Sequence, residues 1–452
     1  MVALTTVVTM TTLTTIPSNR GRSVRTMARA AAAVAAIGLV GLATTAGAQE
    51  TAAAGDHQVT FTRDVAPILQ RSCQSCHRVG SIAPMSLVTY EETRPWARSV
   101  KQKVAQREMP PWYIERNIGI QTFVDDPSLT DEEIAVIVQW VDGGTPRGDP
   151  ADMPPPRQFT DADLWQLGEP DLLIHLPEPV IVPAEAPDWW LNIETEPLDL
   201  TEDRYIRAVE SRPSLPGAEK VVHHAVTSMI FPDGERGFLN EYAVGKNADI
   251  FPTGTGRLIK AGTKIRYSLH VHAIGEETPA DVVVALKFYP KGYTPDHVVF
   301  AAHAADSYDT IDIPAGDDNA RADGYYFLKE PAQVVSFQPH LHNRGKRQCV
   351  EAIYPSGLVE TLSCAQHNFA WMLNYTYTED AQPLLPAGTN LHLISWYDNS
   401  ENNRYNPDPR NWIGFGNRSM DEMSHTWMNI FYMSEEEFEQ RVEARRAKRA
   451  NN

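Results

Sequence analysis

Apolar positions change their rhythm along this chain. Between residues 57 and 150 they recur at helical spacing. Val65, Ile68 and Leu69 share one face of "FTRDVAPILQRSCQSCH", and Ile134, Ile137, Val138 and Val141 form a stripe on "TDEEIAVIVQWVDGG". Thr130 and Glu133 stand at capping-box spacing where the second segment starts, and Gly143-Gly144 closes it. "REMPPW" lies between them and cannot be helix interior, because Pro110 and Pro111 lack amide donors. A polar, proline-rich linker follows over 147–165. From 166 to 433 the apolar runs shorten and become β-rich: "VVHHAVTSMIF", "TKIRYSLHVHAI", "DVVVALKFYP", "QVVSFQPHLH", "TNLHLISWYD". Gly, Pro, Asn and Asp turns separate them.

The pattern predicts a mainly β protein. Two antiparallel, jelly-roll-like β-sandwiches are expected over 166–308 and 309–433, after a small all-α domain over 49–146. The β-rich segment is long for one sandwich, and "IDIPAG" at 311–316 opens the second. The last stretch, 434–452, reads as a charged helix running into a solvated tail.

Residues 1–48 interrupt this picture. Arg20, Arg22, Arg25 and Arg29 precede the apolar run "AAAAVAAIGLVGLATTAGA", which ends in the cleavage pattern Ala46-Gly47-Ala48. Met27, just before the run, is an alternative start. An export signal is expected, hence a periplasmic or secreted protein with no stable membrane insertion. The net charge of −18 argues against a nucleic-acid partner.

Four cysteines are present. Cys349 and Cys364 flank a predicted hairpin, "VEAIYPSGLVETLS", where opposite positions satisfy disulfide geometry. In an oxidising compartment a bond is expected there; two free buried thiols are the alternative. Cys73 and Cys76 belong to "CQSCH". This is a haem-attachment signature, with His77 as an axial ligand to the iron of one covalently bound haem c. No second cysteine pair lies near enough to make it a zinc site. The small helical domain is therefore expected to be cytochrome c-like. Met109 in "REMPPW" is the expected sixth ligand, and Met85 in "IAPMSL" the rival.

Histidines mark the β-rich part. His223 and His224 are adjacent in "VVHHAV", while His270 with His272 and His340 with His342 are H-x-H pairs. Residues i and i+2 of a strand share a face, so each pair can present two imidazoles to one ion. His223 and His224 point oppositely unless the strand bulges. With no cysteine nearby, neither a blue-copper nor a structural zinc site is suggested.

The segments "VVHHAV", "HVHAIG", "PHLHNRGK" and "MDEMSHTWMNIFY" resemble the copper type II, ascorbate-dependent monooxygenases, the family of peptidylglycine α-hydroxylating and dopamine β-monooxygenase. "WYDNSENNRYNPDP" and the N-terminal haem segment are similar to bacterial members. The resemblance spans nearly the whole mature chain. It implies two copper ions, one per sandwich. His223, His224 and His272 would hold the electron-donating one, with His270 beside them outside the ligand set. His340, His342 and Met423 would hold the other and be catalytic: there O2 binds and a substrate C–H bond is broken. The thioether suits that role because it favours Cu(I). Met420 is the rival for Met423.

One position departs from the family. Peptide-amidating members carry an Arg shortly before the H-x-H to bind a substrate carboxylate, and Gln338 stands there. Arg344 and Arg347 are the remaining cations, either receiving an anion or simply solvated. The expected function is therefore O2-dependent hydroxylation of an sp3 carbon in a small organic molecule. Electrons would reach the coppers through the haem from an upstream donor, with ascorbate as another donor. The alternative is a periplasmic haem and copper electron-transfer or copper-binding protein without oxygenase activity.

Overall fold

The computed structural model describes residues 58–81, 83–159, 165–304 and 308–450. The expected export signal lies outside them. Helices form where helical spacing predicts them. Helix Ala66–Ser72 buries Ile68 and Leu69. Helix Asp131–Asp142 begins on Thr130, whose hydroxyl accepts the Glu133 amide at 3.2 Å while the Glu133 carboxylate accepts the Thr130 amide at 2.9 Å. Helix Ala97–Ala105 joins them, and Phe61, Leu69, Leu87, Val104, Ile137 and Trp140 form the shared core.

This region is not all helix. Ile114–Gly119 is a strand, antiparallel to Val359–Gln366 far downstream. The prolines before it bar a helix, and Ile114 with the apolar side chains flanking the strand finds partners outside the helical core. Trp112 packs edge-on against Tyr375 at 4.9 Å, and Phe123 stacks on Tyr377 at 5.3 Å. Arg347 forks onto Glu115 with two contacts of 2.7 Å.

The rest of the described chain is mainly β, in several largely antiparallel sheets. A four-stranded sheet runs Trp189–Glu194, Lys264–Val271, Val222–Ile230, Arg236–Ala243. It faces a six-stranded sheet centred on Arg204–Pro213 and Val282–Phe288, across a core containing Ile206, Val209, Ile265, Tyr267 and Leu269. A second pair follows. Its five-stranded sheet runs Ile114–Gly119, Val359–Gln366, Gly345–Ile353, Asn390–Tyr397, Ala320–Phe327. The facing sheet is built around His425–Tyr432 and Ser336–His340, and Val334, Phe337, Val350, Leu393 and Ile430 fill the space between.

Cys349 and Cys364 stand directly opposite on neighbouring strands and are disulfide-bonded. The charged segment at the C-terminus is a helix, Glu435–Ala450. It docks rather than trailing away: Arg441 reaches Gln333 at 3.0 Å and Arg445 the Gln382 carbonyl at 2.6 Å. Among the described residues, no helix is long and apolar enough to cross a membrane.

Candidate metal centre

The strands Val222–Ile230 and Lys264–Val271 pair with His224 opposite His270, but Val271 then lies opposite Val222. His223 is thus the extra residue of a bulge, the local distortion that two adjacent histidines need to serve one site. Its ring centre is 5.1 Å from that of His270, 6.3 Å from His272 and 6.4 Å from His224. The nearest ring is therefore His270, which the sequence left outside the ligand set. His270 also stacks on Trp190 at 4.7 Å and faces the Asp188 carboxylate at 3.5 Å.

On the second sheet pair, His340 ends the strand Ser336–His340 and lies opposite His425, their rings stacked at 4.4 Å. His342 follows, 5.4 Å from His340 between ring centres. Its Nδ1 meets the Asp421 carbonyl at 3.1 Å, which leaves Nε2 for another partner. The fully buried Glu422 accepts the amides of His342 at 2.9 Å and Arg344 at 2.6 Å, binding the H-x-H turn to the segment that carries Met423. Met423 is fixed through its carbonyl, which accepts the Tyr397 hydroxyl at 2.8 Å. The sulfur beside His340 is that of Met372, 3.2 Å from Nδ1.

The two histidine sets meet. His224 and His340 lie 5.7 Å apart at 25° between ring planes. The buried Glu241 joins them from below: one carboxylate oxygen contacts His224 Nε2 and the other accepts from the Gln338 amide. His303 extends the cluster, 4.2 Å from His425.

Burial sets the protonation. Desolvation pulls His223 down to about 3 and His270 and His342 to about 4, and holds His340 and His425 well below the ordinary imidazole range. These rings are neutral at neutral pH, as metal ligands must be. Desolvation also pushes Glu422 up to about 8. Neutral imidazoles with the Met372 thioether beside one of them fit copper by donor type. Among the described residues no three His, Cys, Asp or Glu already converge on one point. The 6.3 and 6.4 Å separations exceed the roughly 5 Å that two rings on one ion take, so ligation needs a shift of about an ångström.

The cations near this cluster are engaged. Arg344 is buried, donating to Asn399 Oδ1 at 2.8 Å and to the Met420 carbonyl at 2.8 Å. Arg347 is held by Glu115, and Gln338 by Glu241. Neither arginine is the solvated or anion-receiving group that the sequence allows for.

In the helical region, the amide of Cys76 donates to the Cys73 carbonyl at 3.2 Å and that of His77 at 2.9 Å, a turn that draws the three residues together. His77 Nδ1 meets the Met85 carbonyl at 3.2 Å. Burial pushes the Cys73 thiol up to about 12. Met109 lines a cavity of about 250 Å³ with Val104, Trp112 and Leu129.

Sequence reasoning did not find Met372, Glu241, Glu422, His303 or His425 as members of this centre. His425 lies inside "MDEMSHTWMNIFY" and Glu422 beside Met423, so both were in view. Met372 and His303 carry no spacing signal at all.

No protein-family model matches the chain, and no curated protein does. Among solved structures, the chain is similar to a peptide-N(4)-(N-acetyl-β-D-glucosaminyl) asparagine amidase at 9% identity, covering 58% of this chain and 96% of that one, with a TM-score of 0.27. The major capsid protein P2 of bacteriophage PM2 matches at 8% identity over 58% of this chain and 97% of its own, also with a TM-score of 0.27. An oxalate decarboxylase of Bacillus subtilis matches at 9% identity over 54% and 68%, with a TM-score of 0.14. At these scores the likeness carries no inference about fold or activity.

Proposed function

We propose that this chain is an exported copper-dependent monooxygenase built on two β-sandwich domains, and that a c-type haem attached at Cys73 and Cys76 supplies its electrons. The observation that carries the reading is the buried histidine cluster where the two sheet pairs meet, with His223 turned by a bulge and a thioether sulfur beside His340. The cluster contains the histidines that the family resemblance names. His223, His224 and His272 would hold one copper, and His340 and His342, with Met423 as the implied thioether, the other. Copper bound there supplies the reduction of O2 and the cleavage of a substrate C–H bond.

The chain's own groups have definable tasks. The Asp421 carbonyl fixes the His342 tautomer, and Glu241 does the same for His224, leaving its Nδ1 available. Burial keeps the His342 imidazole unprotonated. With Gln338, Arg344 and Arg347 all engaged internally, a neutral substrate fits better than a carboxylate. This argues against a C-terminal peptide.

Haem supplies single electrons when attached. His77 is oriented for it, since its Nδ1 is taken by the Met85 carbonyl and its Nε2 faces away. Met109 would be the sixth ligand, with Met85 as its rival, whose carbonyl already holds the His77 ring.

Labelled O2, screened over neutral amines, amides and aliphatic or aromatic molecules, tests the function alongside metal analysis. Two copper per chain and label in a hydroxylated product are expected. A haem that reduces while no product gains oxygen would identify an electron-transfer protein instead.

A further inference from the structure

The loop between strands Val359–Gln366 and Tyr375–Thr376 carries a sulfur that neither spacing nor family resemblance assigns. We propose that Met372 is a thioether donor to the copper held by His340, a proposal that rests on the copper reading above.

The first argument is distance. Met372 Sδ lies 3.2 Å from His340 Nδ1. Two donors on one ion, with metal–N near 2.0 Å and metal–S near 2.3 Å, stand roughly 3 Å apart when they meet at about a right angle. The competing account is an N–H···S hydrogen bond. A thioether is a weak acceptor, an ill-matched partner for a buried imidazole donor.

The second argument is that the sulfur is held in place. The Met372 amide donates to the Val244 carbonyl at 2.8 Å. Two residues on, Asn374 and Asn247 exchange hydrogen bonds of 2.9 and 3.0 Å, and Asn374 also donates to Asp249 at 2.7 Å. On the other side, Trp371 packs over Gly245, where the φ of +85° and the ring's closeness leave no room for a side chain. The loop from the second sheet pair is therefore pinned to residues 244–249 of the first. Donors fixed before the ion arrives bind it without an ordering cost.

The third argument is chemical. Met372 and Met423 would offer two soft sulfurs around one H-x-H, and soft donors favour Cu(I). Because Met372 is anchored to the first sheet pair, an ion shared by Met372 and His340 would also fasten the two pairs together.

The test uses the full-length protein loaded with Cu(I), in the wild type and in Met372→Leu and Met423→Leu. X-ray absorption is expected to show a copper–sulfur shell at about 2.3 Å that survives Met423→Leu and weakens or vanishes in Met372→Leu. Competition with a chromophoric Cu(I) chelator is expected to show at least about a tenfold loss of affinity in Met372→Leu, the scale of loss seen even for partners one step removed from a metal. A sulfur shell that disappears entirely in Met423→Leu would overturn the Met372 assignment and leave the copper reading standing. A wild type that binds no copper would overturn both. If Met372→Leu fails to fold, the wild type and Met423→Leu alone still decide the matter.

Discussion

The imidazole of His224 lies 5.7 Å from that of His340, although the two belong to different sheet pairs. Ions bound to these rings would be no more than about 12 Å apart, given metal–N bonds near 2.0 Å. Protein loaded with two Cu(II) is therefore expected to show strong magnetic dipolar coupling in pulsed electron paramagnetic resonance. His340→Ala is expected to abolish it while leaving one copper signal. Two uncoupled signals in the wild type would contradict the juxtaposition.

Glu241 holds this junction from both sides. Glu241→Gln turns an acceptor toward a donor and leaves Gln338 facing another amide. Copper affinity at the His223 and His224 set is expected to fall by about 10- to 100-fold, the usual effect of removing a carboxylate behind a ligating histidine. A two-site titration would read this, with binding at the second site least affected.

Low pH is expected to destabilise the metal-free protein. The folded state holds His223 down to about 3, and His270, His342 and His367 to about 4, all by desolvation. Unfolded, these rings titrate near 6.5. Between about 6.5 and 4 the unfolded chain therefore binds more protons, so stability falls as pH drops through that window and is retained above it. Thermal unfolding at pH 7.5 and pH 5 measures this. An equal or higher midpoint at pH 5 would contradict it.

The pair Glu115 and Arg347 ties the strand Ile114–Gly119 to the five-stranded sheet with two 2.7 Å contacts. Arg347→Ala removes both and is expected to cost about 1.5–3 kcal/mol, the range for hydrogen bonds to charged groups. Amide exchange would show the loss locally, as faster exchange at Ile120 and Gln366, whose amides bond across this edge.

The disulfide closes a hairpin with a sequence separation of 15. Replacing both Cys349 and Cys364 with alanine is expected to lower stability by about 3 kcal/mol on the loop-entropy estimate. Denaturant unfolding under oxidising conditions measures it, and reduction of the wild type is expected to give a similar loss.

What the sequence made legible was local. Thr130 with Glu133 and Cys349 with Cys364 are pairs whose partners lie within one helical turn or one hairpin, and both are present. The need for a bulge at His223 could also be read from a single strand. Ile114–Gly119 could not, because its pairing partner lies far along the chain and only tertiary contact makes it a strand. Met372 escaped for the same reason. A methionine in a loop has no periodicity, and its closeness to His340 depends on how Val244 and Asn247 pin that loop.

The added strand Ile114–Gly119 also bears on how separable the parts of this protein are. It covers the outer edge of Val359–Gln366, where backbone donors and acceptors would otherwise lie open. Cutting the chain at the linker would strip that cover and expose a strand inviting self-association. The helical segment and the second sheet pair thus share one sheet, and a β-rich fragment cut at the linker is a poor stand-in for the whole.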